Sequence, residues 1–351
     1  MTSKERVLAA INHRETEQIP ITFDADEAVY EKLYKYLMVN SKEKLFDRLN
    51  VDTWMILPGN FIYTPEEEKK EKKTSVWGYR VNVTEHQAGH YDALTYSPLA
   101  GKDTLSDIQT YPWPEPDVFD FSHFSHEALN HYQRATIGVF TWGAFFIACY
   151  VRGMEDLMMD FATRRKYIDH LFNTIADISA AALQRMLGDH GEDIDIIYMC
   201  DDYCSQQGPL FSPADFKTFV FPYLKRLVDL THRYDKKFLL HVCGSVRSLL
   251  PMIIDAGVDV LEPIQTRAAG MEPSALKKDF GKHLCFYGGM DLQQILPKGS
   301  KEDVAEETKR LIDILGKDGG YIFGPGHTYI QADTPLENIL TMYDTAHTYR
   351  R

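Results

Sequence analysis

Lys237-Phe238-Leu239-Leu240-His241-Val242-Cys243-Gly244 is the stretch from which the fold can be read. It leaves a charged turn as an apolar run and ends in two metal-ligand side chains one residue apart. Side chains of a strand alternate between faces, so His241 and Cys243 point to one side together, at the strand's carboxyl end. Gly244-Ser245 then opens a helical pattern over residues 246–256. Strand, short turn and helix form the repeating unit of parallel α/β folds, whose sites gather at the carboxyl ends of the strands. A thiolate beside an imidazole suits zinc better than magnesium or calcium. The plainer alternative is a half-buried cysteine next to a hydrogen-bonded histidine.

Moving outward, the same unit recurs. Strands are expected at 19–23, 53–57, 136–140, 194–199, 238–241, 258–261, 284–287 and 321–323, with helices at 153–161, 164–188, 213–234, 246–256, 271–280 and 301–315. Eight such strands predict one α/β domain over residues 1–351, a single (β/α)8 TIM barrel. A doubly wound open sheet is the alternative, but no glycine-rich phosphate loop follows the first strand. Residues of about 60–133 break the rhythm and are expected to be an inserted, elaborated early loop with a hairpin. There Glu66-Glu67-Glu68-Lys69-Lys70-Glu71-Lys72-Lys73 reads as a solvated turn. Residues 77–96 alternate as an antiparallel hairpin, and Pro112, Pro114 and Pro116 forbid regular helix.

Length and charge narrow the function. The chain has 351 residues, 44 % of them hydrophobic, enough for a large core. Its 51 acidic against 38 basic residues leave a net charge of −13, which repels nucleic acid and anionic membranes. Five scattered cysteines without CxxC, no secretion-signal pattern and no run near ~20 apolar residues predict a reduced, soluble, cytoplasmic protein.

Other strand ends are polar too. Residues 194–199 lead into Cys200-Asp201-Asp202-Tyr203-Cys204-Ser205-Gln206-Gln207, where Asp202 is expected to move a proton and Gln207 to bind substrate at the rim. An aspartate that merely caps a turn is the alternative. Glu262, before Pro263, is held in extended backbone and is a second candidate acid–base group. Tyr287-Gly288-Gly289-Met290-Asp291 places Tyr287 and Asp291 as candidate substrate contacts, although Asp291 also suits the cap of a following helix. Gly324-Pro325-Gly326-His327 brings a second histidine. His241, Cys243 and His327 would make the three-ligand set of a catalytic zinc with an open fourth position.

Several of these segments have a family likeness. Asp201-Asp202, Gln207-Gly208-Pro209, Ser212-Pro213, Pro222-Tyr223, His241-Val242-Cys243-Gly244, Pro263-Ile264-Gln265, Tyr287-Gly288-Gly289-Met290-Asp291 and the opening Arg6-Val7-Leu8-Ala9-Ala10-Ile11-Asn12-His13-Arg14 resemble the uroporphyrinogen decarboxylase-like superfamily. The resemblance implies a (β/α)8 barrel and one of two chemistries. Its true decarboxylases carry an arginine-rich amino-terminal segment that grips substrate carboxylates. Here Ile21-Thr22-Phe23-Asp24-Ala25-Asp26-Glu27 has three acids and no arginine. The other branch, similar to methylcobamide:coenzyme M methyltransferases, is zinc-dependent and corrinoid-linked and is marked by His-x-Cys. In that branch the third ligand is a cysteine of the last strand, where this chain has His327.

The exchange alters charge. One imidazole and two thiolates leave zinc formally neutral and favour a bound thiolate as nucleophile, whereas two imidazoles and one thiolate leave +1 and favour an oxygen donor. Glu262 as a fourth ligand would reverse that. The expected function is therefore methyl transfer between a small methylated substrate (methyl ether or thiol) and cobalamin on a partner corrinoid protein. The alternatives are a metal-free decarboxylase or lyase using His327 and Asp202, and a non-catalytic zinc- or corrinoid-binding subunit.

Overall fold

The computed structural model describes residues 1–86, 89–163 and 166–350. Among them lie ten strands: β1 (Thr53–Ile56), β2 (Lys72–Thr74), β3 (Arg80–His86), β4 (Gly89–Tyr96), β5 (Ala135–Val139), β6 (Ile196–Cys200), β7 (Lys237–His241), β8 (Val260–Glu262), β9 (Cys285–Tyr287) and β10 (Tyr321–Ile322). Seven form one curled, wholly parallel sheet in the order β1-β5-β6-β7-β8-β9-β10, with helices in the crossovers. Both faces of such a sheet are covered, which explains the runs of Val, Ile and Leu.

One face carries Ala135, Ile137, Val139, Ile196, Tyr198, Leu239, Val260, Cys285, Tyr287 and Ile322 as a separate apolar cluster. The amino-terminal helix Ser3–Ile11 adds Val7, Ala10 and Ile11 to it. Charged residues of that helix anchor it to the sheet, Arg6 to Asp52 at 2.6 Å and Lys4 to Asp195 at 2.7 Å. The other face packs on the helices in a larger cluster.

The sheet has seven strands where eight were expected, because residues 19–23 make no strand of their own. Ile21 forms a single parallel bridge to Phe323. Thr22 N–H donates to Phe323 O at 2.9 Å, Phe323 N–H to Pro20 O at 2.8 Å, and Asp52 N–H to Ile21 O at 2.8 Å. The segment therefore bonds beside both edges of the sheet. Pro20 has no N–H to extend a ladder, and Ile21 N–H is taken by the Asp52 carboxylate at 2.8 Å.

Between β1 and β5 the chain builds a separate antiparallel sheet, β2-β3-β4. The hairpin expected over 77–96 is β3 and β4, with residues 87–88 outside the described residues. The charged run is solvated as expected except at Lys73, but it is more than a turn. It forms the helix Pro65–Glu68 and, after a turn, β2, where Lys73 is buried against the Tyr63 ring at 4.9 Å and pairs with Glu68 at 2.9 Å.

Helix ends also shift. The helix expected from residue 164 runs Ile168–His190, with Arg164 and Arg165 outside the described residues. The one expected over 213–234 is interrupted by a π turn, Phe216–Val220, just before Pro222, which has no N–H to donate. Ala144–Arg152 was not expected as a helix, because it is buried nearly all round and shows no polar face to set a helical period.

Candidate metal centre

β7 delivers His241, buried at 3 % exposure, to the carboxyl end of the sheet. Gly244, one residue after Cys243, holds φ at +88°, and a Cβ there would collide with the Ser205 carbonyl. Only glycine lets the turn after β7 lie this close to the loop after β6. The Gly244 N–H donates to Gln265 Oε1 at 3.0 Å, and that oxygen also accepts from the Gln206 amide. Three strand-end loops are thereby tied together.

The His241 ring is fixed on both sides. Its Nδ1 hydrogen-bonds the buried Glu262 carboxylate at the end of β8. Its Nε2 lies 3.2 Å from Cys243 Sγ and 3.7 Å from Asp202 Oδ1. With Nδ1 held by Glu262, Nε2 is the ring nitrogen that faces the thiols. Burial, the largest single influence, pushes the His241 pKa down, but the Glu262 carboxylate together with Tyr198 and Cys200 more than offsets it and holds the ring above its ordinary value. The Cys243 thiol is pushed up by burial, with His241 offsetting part of that rise, and the Cys200 thiol is pushed up to about 12, again mainly by burial. Without a cation these sulfurs stay protonated; a bound metal is what would hold them as thiolates.

Asp201 and Asp202 divide the two roles expected of that pair. Asp201 is buried and accepts from Phe146 N–H at 2.6 Å, in the first turn of the helix Ala144–Arg152. Burial pushes its carboxyl up to about 7. Asp202 instead faces the metal-ligand side chains and accepts from Cys243 N–H at 2.8 Å. Among the described residues, ligand atoms of Cys200, Asp202 and His241 all lie within 4.8 Å of one another. Cys200 is absent from the set expected from sequence. The available signal was the inward alternation Tyr198-x-Cys200; its position opposite His241 follows only from the register.

Neither Cys243 nor His327 is in that group, and His327 is the more remote of the two from His241. The His327 ring centroid lies 6.3 Å from that of His241, edge-on at 86°. Burial, and then His241, hold its pKa below the ordinary value, so its imidazole is neutral. It borders two spaces. One is a water-sized inner cavity of about 20 Å³ lined by Thr22, Asp24, Tyr198, Glu262 and Tyr287. The other is a cleft of about 220 Å³ bounded by Gln206, Gln265, Arg267, Asp291 and Gln293 over an apolar floor of Ile264 and Met290. Gly288 has φ +89° and sits against the Pro325 carbonyl, which seats the His327 loop beside the end of β9.

Tyr287 is buried in the inner cavity with its hydroxyl on Thr22 Oγ1. Asp291 caps the turn after it through Gln293 N–H at 2.7 Å, while its other oxygen meets Arg267 at 3.3 Å on the cleft wall. Gln207 lies apart: it is exposed and lines a shallow depression with Ser245 and Arg247. Asp24 and Tyr198 of the inner cavity were not anticipated.

No described helix is long and apolar enough to cross a membrane. Residues 104–349 match the family model for uroporphyrinogen decarboxylase (URO-D). Among curated proteins, a methylcobamide:CoM methyltransferase MtbA of Methanosarcina acetivorans is 24 % identical over 213 residues, 59 % of this chain and 57 % of that protein. A uroporphyrinogen decarboxylase of Hordeum vulgare is 34 % identical over 140 residues, 38 % of this chain and 39 % of that protein. The matches thus span at most about three fifths of these relatives. A solved methyltransferase from Methanosarcina mazei shares the fold, with a TM-score of 0.68 at 16 % identity over 99 % of this chain and 98 % of that one. With the model matched over most of its length, and relatives of both names beside it, the chain belongs to the uroporphyrinogen decarboxylase family.

Proposed function

We propose that this chain is a zinc-dependent methyltransferase of a corrinoid system, a cytoplasmic enzyme that moves a methyl group between a small methyl ether or thiol and a cobalamin on a partner protein. The observation that carries this reading is the His241–Glu262 pair, with Nε2 turned toward Cys243 and Asp202. Metal-ligating histidines almost always donate their far N–H to a carboxylate, a backbone carbonyl or water, and Glu262 fills that place here. The spacing fits as well. Ligand atoms at 2.0–2.3 Å from one tetrahedral ion stand roughly 3.5 Å apart, and Cys243 Sγ is 3.2 Å from Nε2.

His241 and Cys243 would hold the ion. Bound there, zinc polarises the sulfur or oxygen that gains or loses the methyl group. Asp202, half-buried beside the pair, takes or returns the proton of that heteroatom. Glu262 keeps the His241 tautomer fixed. Gln206, Gln265, Arg267 and Asp291 supply polar contacts to the remainder of the substrate in the cleft, with Tyr287 closing the inner cavity. In this reading residues 20–22 act as the eighth strand of a (β/α)8 barrel, and residues of about 60–133 are inserted in a single domain.

Decarboxylation of a polycarboxylate is disfavoured. The inner cavity is lined by two carboxylates, Asp24 and Glu262, and by no lysine or arginine among the described residues. The test combines elemental analysis with mixing the zinc-loaded protein, cob(I)alamin and a panel of methyl ethers and methylated thiols, following the corrinoid spectrum. About one zinc per chain and methylcobalamin formation are expected. Zinc without transfer would favour a binding subunit; neither would favour a metal-free lyase.

A further inference from the structure

The third metal ligand can be sought in the strand register. Cys200 is the Cα partner of His241 across β6 and β7, and His241 is the partner of Glu262 across β7 and β8. Paired residues of neighbouring parallel strands project from the same face. Two residues earlier, Tyr198, Leu239 and Val260 all lie in the inner apolar cluster, and Cys200 packs at its edge. Cys200, His241 and Glu262 therefore form one inward row across three strand ends, with the imidazole in the middle.

Glu262 occupies Nδ1. Cys200 Sγ lies within 4.8 Å of a ring nitrogen of His241 and, with Nδ1 taken, faces the Nε2 side, where Cys243 Sγ stands at 3.2 Å. Two sulfurs from different strands thus approach one nitrogen. Among the described residues the compact group of ligand atoms takes Cys200, Asp202 and His241; Cys243 and His327 both lie outside it, but Cys243 Sγ is 3.2 Å from His241 Nε2, whereas the His327 ring centroid is 6.3 Å from that of His241. The His327 ring stands edge-on to His241 on the wall between cavity and cleft.

We infer that Cys200 is a metal ligand together with His241 and Cys243, and that His327 is a substrate-side imidazole and not a ligand. The inference rests on the zinc reading above. It also reverses the charge expected from sequence. One imidazole and two thiolates neutralise zinc where two imidazoles and one thiolate would leave +1, so the centre favours a sulfur over an oxygen substrate atom.

X-ray absorption at the zinc edge of the full, zinc-loaded chain tests this without depending on turnover. Two sulfur neighbours at about 2.3 Å and one imidazole are expected. Cys200→Ser should leave one sulfur and weaken zinc retention against a competing chelator by on the order of a hundredfold. His327→Gln should change neither the sulfur count nor the retention. One sulfur with two imidazoles in the unmodified protein would overturn the inference while leaving the zinc reading intact. So would an unchanged sulfur count in Cys200→Ser. A chain that holds no zinc would overturn the zinc reading itself, and this inference with it.

Discussion

The two halves of the same strands are built for opposite ends. Along the inner face, β6 runs Ile196, Tyr198, Cys200; β7 runs Leu239, His241; β8 runs Val260, Glu262. The amino-terminal half is closed by apolar side chains of the helix Ser3–Ile11, and its charges are paired at the rim. At the carboxyl half the same alternation delivers an imidazole, thiols and carboxylates into buried positions. Buried polar groups are tolerated only when partnered. His241 and Glu262 partner each other there, whereas Cys200 and Asp202 converge on the other side of the His241 ring, where Cys243 Sγ stands 3.2 Å from Nε2. The contrast teaches that stability and chemistry occupy different layers of one scaffold.

Removing a ligand should break the carboxyl layer alone. Cys243→Ser is expected to lose most of the zinc and to slow methyl transfer by on the order of a thousandfold or more, with the circular dichroism spectrum and melting curve of the metal-free protein unchanged. Full zinc occupancy in this variant would remove Cys243 from the centre. The converse change belongs to the other layer. Leu239→Ala, at a fully buried position, should destabilise by about 2–5 kcal/mol in denaturant titrations while still binding zinc one to one. Loss of zinc at unchanged stability would mean that the layers are not separable.

Asp24 gives the comparison a pH signature. Burial pushes its carboxyl up to about 6, against partial relief from Lys42 and from hydrogen bonds it accepts from Ala25 N–H and the Tyr30 hydroxyl. The folded chain then holds this proton more tightly than the unfolded chain does. Its contribution favours the fold at low pH and is lost as pH rises from about 4 to about 6. In the metal-free protein Asp24→Asn should flatten that part of the stability–pH curve by up to about 3 kcal/mol. An unchanged slope would show that Asp24 is solvated in solution.

The smallest expected effect lies at the sealed end. Thr2 caps the first helix in a capping box with Glu5, at 3.1 Å to Glu5 N–H. Thr2→Ala should lower stability by about 1 kcal/mol without altering zinc content. A changed zinc content would mean that the two ends communicate.

Much of this could be read from the chain itself. Apolar runs separated by helical patterns disclosed the parallel sheet, because burial on both faces demands them. Strand period disclosed that His241 and Cys243 share a side, and the polar strand ends disclosed where titratable side chains gather. The rest depended on neighbours in space. Residues 19–23 looked like a strand by composition, yet Pro20 and the Asp52 carboxylate reduce its ladder to a bridge. Lys73 sat in a run that looked solvated until Tyr63 and Glu68 covered it. Asp201 and Asp202 were equivalent in the sequence; one caps a helix and the other faces His241. Cys200 and His327 could not be ranked beside His241, because spacing along the chain says nothing of which strand lies next to which. Local period is a property of consecutive residues and was legible from them. Register and loop approach are set by packing between segments far apart in sequence, and only the tertiary structure decided them.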